Sequence, residues 1–195
     1  MSNKIIYVVP ESGSNTPLKG HDSGTIDLFF HVKDDRGNLY TGKVPFHRSS
    51  SFTCSLGIRA YPTPEAGDYL VLPRSSASSI LGSTFSQHLH HYPAYSQDGV
   101  PLSLNKVKDI ASLSLLNTVG LIDRDYRGIV MARAHLDINM TDVTQPVMLD
   151  LSKPWFQAWS PDPQVRFMIV SSIEEVPEEI RTTSRGAGGF GSSNS

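Results

Sequence analysis

The stretch 117–128, NTVGLIDRDYRG, decides how this chain is read. It sets an apolar triad, Val119, Leu121 and Ile122, against one acid, Asp123, and continues at once into Arg124, Asp125, Tyr126, Arg127 and Gly128. That is the composition of a strand running into a tight hairpin tip. A strand that ends in an acid beside a turn presents the acid at the mouth of a pocket. Tyr126, three residues on, can lay a flat ring on one wall of it. Taken alone, the same acids also suit an ordinary surface turn, so the reading depends on what surrounds them.

Downstream, GIVMARAHLDINMT alternates as a strand, VTQPVMLDL leads to KPWFQAWSPDPQ, and VRFMIVSSIEEVPEEIRTTSRG reads as a last strand and a linker. Upstream, IIYVV at 5–9 is a β-branched run expected to form an edge strand. The residues 34–38, DDRGN, are a hairpin turn, and LYTGKVPFHR alternates weakly after it. FTCSLGIRAYPTPEAGDYLVLPRSS reads as a strand, a Pro/Gly turn and a second strand over 69–72. Many short strands, proline- and glycine-marked turns and no convincing helical period predict an all-β domain, a barrel or jelly roll.

The chain has 195 residues, 38% of them hydrophobic and 18% charged, enough to bury a real core in one domain. A net charge of −2 offers no global attraction to nucleic acid or anionic membranes, so any bound phosphate needs a local cluster of cations. The single cysteine, Cys54, excludes an internal disulfide framework and points to a reducing compartment, cytoplasmic or nuclear. Its strand-like surroundings make it a buried structural thiol. The apolar run near the N-terminus is too short for a signal peptide, and no stretch is long enough to cross a bilayer as a helix.

Three further stretches carry chemistry. In SGTIDLFFHVKD, Asp27 is embedded among Ile26, Leu28, Phe29, Phe30 and Val32; an acid there is costly unless a hydrated metal or an arginine pairs with it. The strand ending in Pro73, Arg74, Ser75 and Ser76 suits a phosphate, with a planar fork of donors, two hydroxyls and free backbone N–H groups. The terminal RGAGGFGSS is too rich in Gly and Ser to pack, yet Arg185, Gly186, Gly188, Gly189 and Gly191 give a backbone able to wrap phosphates. Phe190 has no core to join there and suits stacking on a base.

Taken in order, these stretches resemble the motifs of the trimeric deoxyuridine triphosphatases (dUTPases), which hydrolyse dUTP to dUMP and pyrophosphate. TIDL at 25–28 is similar to the first motif, PRSS to the second, NTVGLIDRDYRG to the third and RGAGGFGSS to the fifth. The fourth, usually glycine-aspartate-arginine before two apolar residues and glutamine, aligns with KPWFQ, where Gln157 keeps the glutamine and Pro154 replaces the arginine; a rival alignment at QVRFMIV keeps Arg166. Ser76 stands in the second motif where the family has glycine.

The resemblance implies a distorted jelly roll that assembles as a homotrimer with shared active sites. It makes Asp123 the water-activating base and Tyr126 the ring that packs on deoxyribose. Asn117 and the backbone around Gly120 and Ile122 would read uracil, with Phe190 covering the base. Arg74, Ser75, Ser76, Gln157, Arg185, Gly188, Gly189, Gly191, Ser192 and Ser193 would line the phosphates. Mg2+ would come with the triphosphate, Asp27 meeting it through water. On this division 1–181 is the β domain and 182–195 an arm that closes over a neighbouring subunit's site.

The stretch 77–111 is longer than the family spacing between the second and third motifs allows, and it reads as an inserted surface loop. Its His88, His90 and His91 lack nearby Cys or acids at ligand spacing. Two other classes stay open: a dCTP deaminase of the same fold, which needs a glutamate base, and a non-catalytic relative that binds nucleotide and regulates.

Overall fold

The computed structural model describes residues 4–19, 24–33, 37, 39–40, 42–74, 111–116, 120–138 and 146–188. In chain order its strands are β1 (Ile5–Pro10), β2 (Leu18–Lys19), β3 (Thr25–Leu28), β4 (Val32–Lys33), β5 (Leu39–Tyr40), β6 (Lys43–Phe46), β7 (Ser50–Ser55) and β8 (Ile58–Pro62). They continue with β9 (Tyr69–Pro73), β10 (Ala111–Leu115), β11 (Gly120–Ile122), β12 (Met131–Ile138), β13 (Val147–Asp150), β14 (Phe156–Trp159) and β15 (Arg166–Ile169). Two single-turn 3-10 helices, Ile173–Glu175 and Glu178–Ile180, follow. The architecture is an all-β, distorted jelly roll; among the described residues no helix is long and apolar enough to cross a membrane.

Three sheets carry the fold. Their strand orders are β15-β1-β8, β10-β12-β7 and β11-β9-β14-β3-β2, and the short pairs β13-β6 and β4-β5 complete them. Alternation decides which face each strand buries. Along β12, Ala132, Ala134, Leu136 and Ile138 point inward, and along β14 Phe156 and Ala158 do so opposite Leu28 and Ile26 of β3. These side chains join Trp155, Phe30, Leu149 and Leu151 in one continuous core. Each large side chain wholly removed from water contributes about 1.5–3 kcal/mol. A smaller core of Tyr61, Val170, Val176 and Ile180 packs the segment after β15 against β1 and β8.

Three local expectations change. The run IIYVV is not an edge: β1 pairs parallel with β15 on one side and antiparallel with β8 on the other. FTCSLGIRAYP is two strands in different sheets, because Gly57 breaks it at φ +66°. A Cβ there would stand 2.6 Å from Ser14 Cβ and 2.8 Å from His31 Cε1. The hairpin expected at 117–128 is instead a turn between sheets: β11 pairs with β9, whereas β12 pairs with β10 and β7. By contrast β4 and β5 pair antiparallel, as a hairpin at this point requires; of DDRGN only Gly37 is among the described residues. Cys54 is buried, and loss of solvent pushes its thiol up to about 12.

Gly57→Ala is expected to lower stability by about 1–3 kcal/mol in urea unfolding, since the new methyl meets both a left-handed backbone and occupied space. His31 is almost wholly buried, its Nε2 accepting a hydrogen bond from the Asn15 N–H at 3.1 Å, and burial lowers its pKa. The unfolded chain therefore binds a proton that the folded chain refuses. Stability should be full above the ordinary imidazole pKa of about 6.5 and fall as pH drops below it. The urea midpoint measured against pH, beside His31→Gln, checks this: the substitution should flatten the dependence.

Candidate functional site

The turn after β11 is held by its own acid. Asp123 Oδ1 accepts the Asp125 N–H at 2.8 Å, and the Asp123 carbonyl accepts the Tyr126 N–H at 3.0 Å. These bonds close an Asx-type turn of the kind aspartate favours. Asp68 Oδ1 accepts the Arg124 N–H at 2.9 Å, which ties the turn to the loop before β9. Tyr126 donates its hydroxyl to the Ile129 carbonyl at 2.8 Å. Gly128 is needed for that pose, because a Cβ on it would lie 2.4 Å from the Tyr126 hydroxyl.

A cavity of about 240 Å³ opens beside this turn. Asp123 and Tyr126 stand at it together with Gly120, Ile122, Val71 and Arg185. Arg185 reaches in from the glycine-rich segment. Its Nη1 lies 2.5 Å from Asp123 Oδ2, and its guanidinium sits 5.8 Å from the centre of the Tyr126 ring. The Asp125 N–H is the main cause that holds the Asp123 carboxyl below its ordinary pKa, and Arg185 adds to it. Asp123 is therefore ionised at neutral pH. Burial raises the Tyr126 phenol, which stays protonated.

A second polar cluster forms on the outward face of the β9-β14-β3 region. Asp27, Gln157 and Leu72 are aligned across the three strands, with Leu18 of β2 beside Asp27. Arg74 Nη1 lies 3.0 Å from Asp27 Oδ2. Of the two partners expected for the acid in this strand, a hydrated metal or an arginine, an arginine stands beside it. Burial outweighs that attraction, and the Asp27 pKa is raised. None of these three polar residues lines the Asp123 cavity. Gln157 falls beside Asp27, whereas Arg166 lies on β15 in another sheet, opposite Ile5.

Of the predicted residues, the fold brings Asp123, Tyr126, Gly120, Ile122 and Arg185 to one cavity and sets Asp27, Arg74 and Gln157 together outside its lining. Gly188 lies beside Arg185, its carbonyl accepting the Arg185 Nε–H at 3.3 Å. Ser75, Ser76, Asn117, Gly189, Phe190, Gly191, Ser192 and Ser193, with the histidines at 88, 90 and 91, lie outside the described residues. Among the described residues, no three His, Cys, Asp or Glu side chains converge as a metal cage. Met131 and Arg133 of β12 at the cavity had no signal beyond their place in an alternating strand, and Arg127 beneath the turn had none because a basic residue in a turn reads as solvated.

Gly128→Ala is expected to displace the Tyr126 ring, seen as a shift of its NMR resonances, with the loss of one hydrogen bond worth about 0.5–1.5 kcal/mol in unfolding. Arg185→Ala should raise the Asp123 carboxyl pKa without restoring its ordinary value, because the Asp125 N–H remains. A carboxyl 13C titration reads that shift.

No family model matches the chain, and no curated protein does. Solved structures do. A dUTPase from Streptococcus mutans superposes with a TM-score of 0.45 at 17% identity, over 85% of this chain and 98% of that one. A variant dUTPase of Staphylococcus bacteriophage 80alpha, with dUpNHpp, gives 0.42 at 15%, over 96% and 97%. A variant dUTPase of S. aureus phage phi11, described as coordinating a structural Mg(II) ion, gives 0.44 at 12%, over 88% and 98%.

Proposed function

We propose that the chain hydrolyses dUTP to dUMP and pyrophosphate. The observation that carries the reading is an ionised carboxylate, Asp123, at the mouth of a cavity walled by Tyr126, with Arg185 already at its oxygen. The motif resemblance supplies the substrate. Asp123 takes a proton from water as the water oxygen attacks the α-phosphorus, and the bond to the bridging oxygen of pyrophosphate breaks. A base held below its ordinary pKa is fully deprotonated at neutral pH, at some cost in proton affinity.

Tyr126 lies flat against the sugar and leaves no room for a 2′-hydroxyl. Gly120 and Ile122, with Asn117, present the polar backbone and amide that distinguish uracil, since a wrong base would leave buried groups unpaired. Arg74, Gln157, Ser75 and Ser76 meet the phosphates, joined by Arg185 and the glycines and serines at 188–193. Mg2+ fits here as a companion of the triphosphate, because Asp27 is a single acid already paired with Arg74 and not part of a protein cage. Bound in that way it offsets phosphate charge.

Asp27, Arg74 and Gln157 lie away from the Asp123 cavity, which supports a site completed between copies in a homotrimer. The outward row of Leu121, Leu70 and Trp159 across β11, β9 and β14 supports the same assembly, Leu121 being 65% exposed in the single chain. Leu121→Glu should therefore lower the sedimenting mass from three chains to one and remove activity with it.

Pyrophosphate release from dUTP, dCTP, dTTP and UTP with Mg2+ tests the reading. Release is expected from dUTP alone, and Asp123→Asn should slow it by about 10²–10⁴-fold. The acid limb of kcat/KM should fall below about pH 4, the ordinary carboxylate value. Nucleotide binding without release from any substrate would instead favour a regulatory relative, the reading that Pro154 in place of the family arginine motivates.

A further inference from the structure

We infer that Arg133 reads the far edge of the base in the Asp123 cavity, a specificity-determining residue that favours a carbonyl over an amino group at the pyrimidine 4-position. The inference rests on the dUTP-hydrolysing reading, which sets the reacting phosphate at Asp123 and the sugar at Tyr126. It adds a side chain to which the motif resemblance gives no role.

The cavity is charged in two places. Asp123 and Arg185 stand with Tyr126 by the turn, Arg133 is a further cation in the lining, and Val71, Leu115, Leu121, Met131 and Ala132 supply apolar wall. Register puts Arg133 at the end away from the turn. Counting back along β11, Gly120 lies three residues from Asp123, or about 10 Å of strand. On the other side, β12 starts at Met131, just past the Ile129 carbonyl that takes the Tyr126 hydroxyl, and Arg133 comes two residues later. The Leu116 N–H donates to the Arg133 carbonyl at 2.9 Å, and Leu115 is opposite Ala134. Arg133 therefore borders the point where β10 leads on to Asn117, the residue assigned to the base.

Its charge is unspent. Arg133 is exposed, and its partner across β7 is Thr53. The next acid along its own strand, Asp137, is four residues on, about 13 Å, and accepts the Ser49 hydroxyl at 3.1 Å. Among the described residues the Arg133 guanidinium makes no hydrogen bond and no ion pair. A cation without an acid is ordinary on the open face of a sheet; one in the lining of a cavity is placed to donate into it.

The chemistry of the base then selects the acceptor. With the phosphate at Asp123 and the sugar on Tyr126, the base points away from the turn, and the edge farthest from the sugar arrives at Arg133. Uracil carries a carbonyl at position 4, whose oxygen has two lone pairs for a planar fork of donors. Cytosine carries an amino group there, which sets donor against donor and leaves both unmet. Thymine has the same carbonyl as uracil, so this residue does not tell those two apart.

Calorimetric binding of dUMP and dCMP tests the inference without turnover. Wild type is expected to prefer dUMP. Arg133→Met, which keeps an unbranched stem at an exposed position, should weaken dUMP by about 10–100-fold, the worth of a hydrogen bond from a charged donor, and leave dCMP unchanged. Arg133→Lys, a point charge in place of a fork, should keep part of the preference. A dUMP preference that survives Arg133→Met would overturn the inference and leave base reading to Asn117 and the backbone. An equal loss for both nucleotides would also overturn it, by making Arg133 a general attraction for phosphate. The preference for dUMP over UMP, which the reading gives to Tyr126, should not move in either variant. If wild type binds neither dUMP nor dCMP, the nucleotide reading fails and this inference with it, an outcome distinct from binding that ignores Arg133.

Discussion

The pairing of β9 on both of its edges is the constraint from which the two polar clusters follow. Tyr69 and Val71 point into the core while Leu70 and Leu72 point out, as a pleated strand demands. On one edge Val71 and Tyr69 align with Gly120 and Ile122, which fixes where β11 ends and so where Asp123 emerges. On the other, Leu72 aligns with Gln157, and the strand's end sets Arg74 beside Asp27, with the Arg74 N–H donating to the Trp155 carbonyl at 3.1 Å. A slip of one residue in either register would turn Gln157 into the core or Val71 out of it. The cost of such a slip, several buried apolar side chains exchanged for solvated ones, is what keeps the polar groups in place.

Around Asp123 the stabilising forces are of another kind. The turn buries little apolar area and is built from hydrogen bonds between its carboxylate, its amides and its arginines. Such bonds each contribute about 0.5–1.5 kcal/mol, but an unmet buried donor costs more. Arg127 therefore stabilises the turn chiefly by needing it: with its carbonyl partners gone, a buried charge would be left without them. The same demand fixes the segment after β15, and through it Arg185, to the turn.

Asp27 and Asp123 show how two acids of one chain acquire opposite character. Asp27 sits in a sheet, where burial dominates the neighbouring arginine and raises its pKa. Asp123 sits at a turn, where an N–H from Asp125 dominates and lowers it. Environments that push carboxyl pKa values apart suit different chemical roles.

The sequence by itself determined the all-β class, the buried cysteine and the candidate acids, because alternation and turn chemistry are local properties that a single chain displays. That Asp27 required a partner was legible for the same reason: an acid flanked by Ile26 and Leu28 has few solutions, a hydrated metal or an arginine, and the fold supplies Arg74. Only the tertiary structure decided that 117–128 joins two sheets, that Gly57 splits a run read as one strand, and that β1 is central. Each of these depends on which strands pair across long separations, information that no local window contains. The burial of Arg127 belongs with them. Its side chain type says surface, and it lies inside only because carbonyls from the turn and from the segment after β15 converge on the point where its donors end.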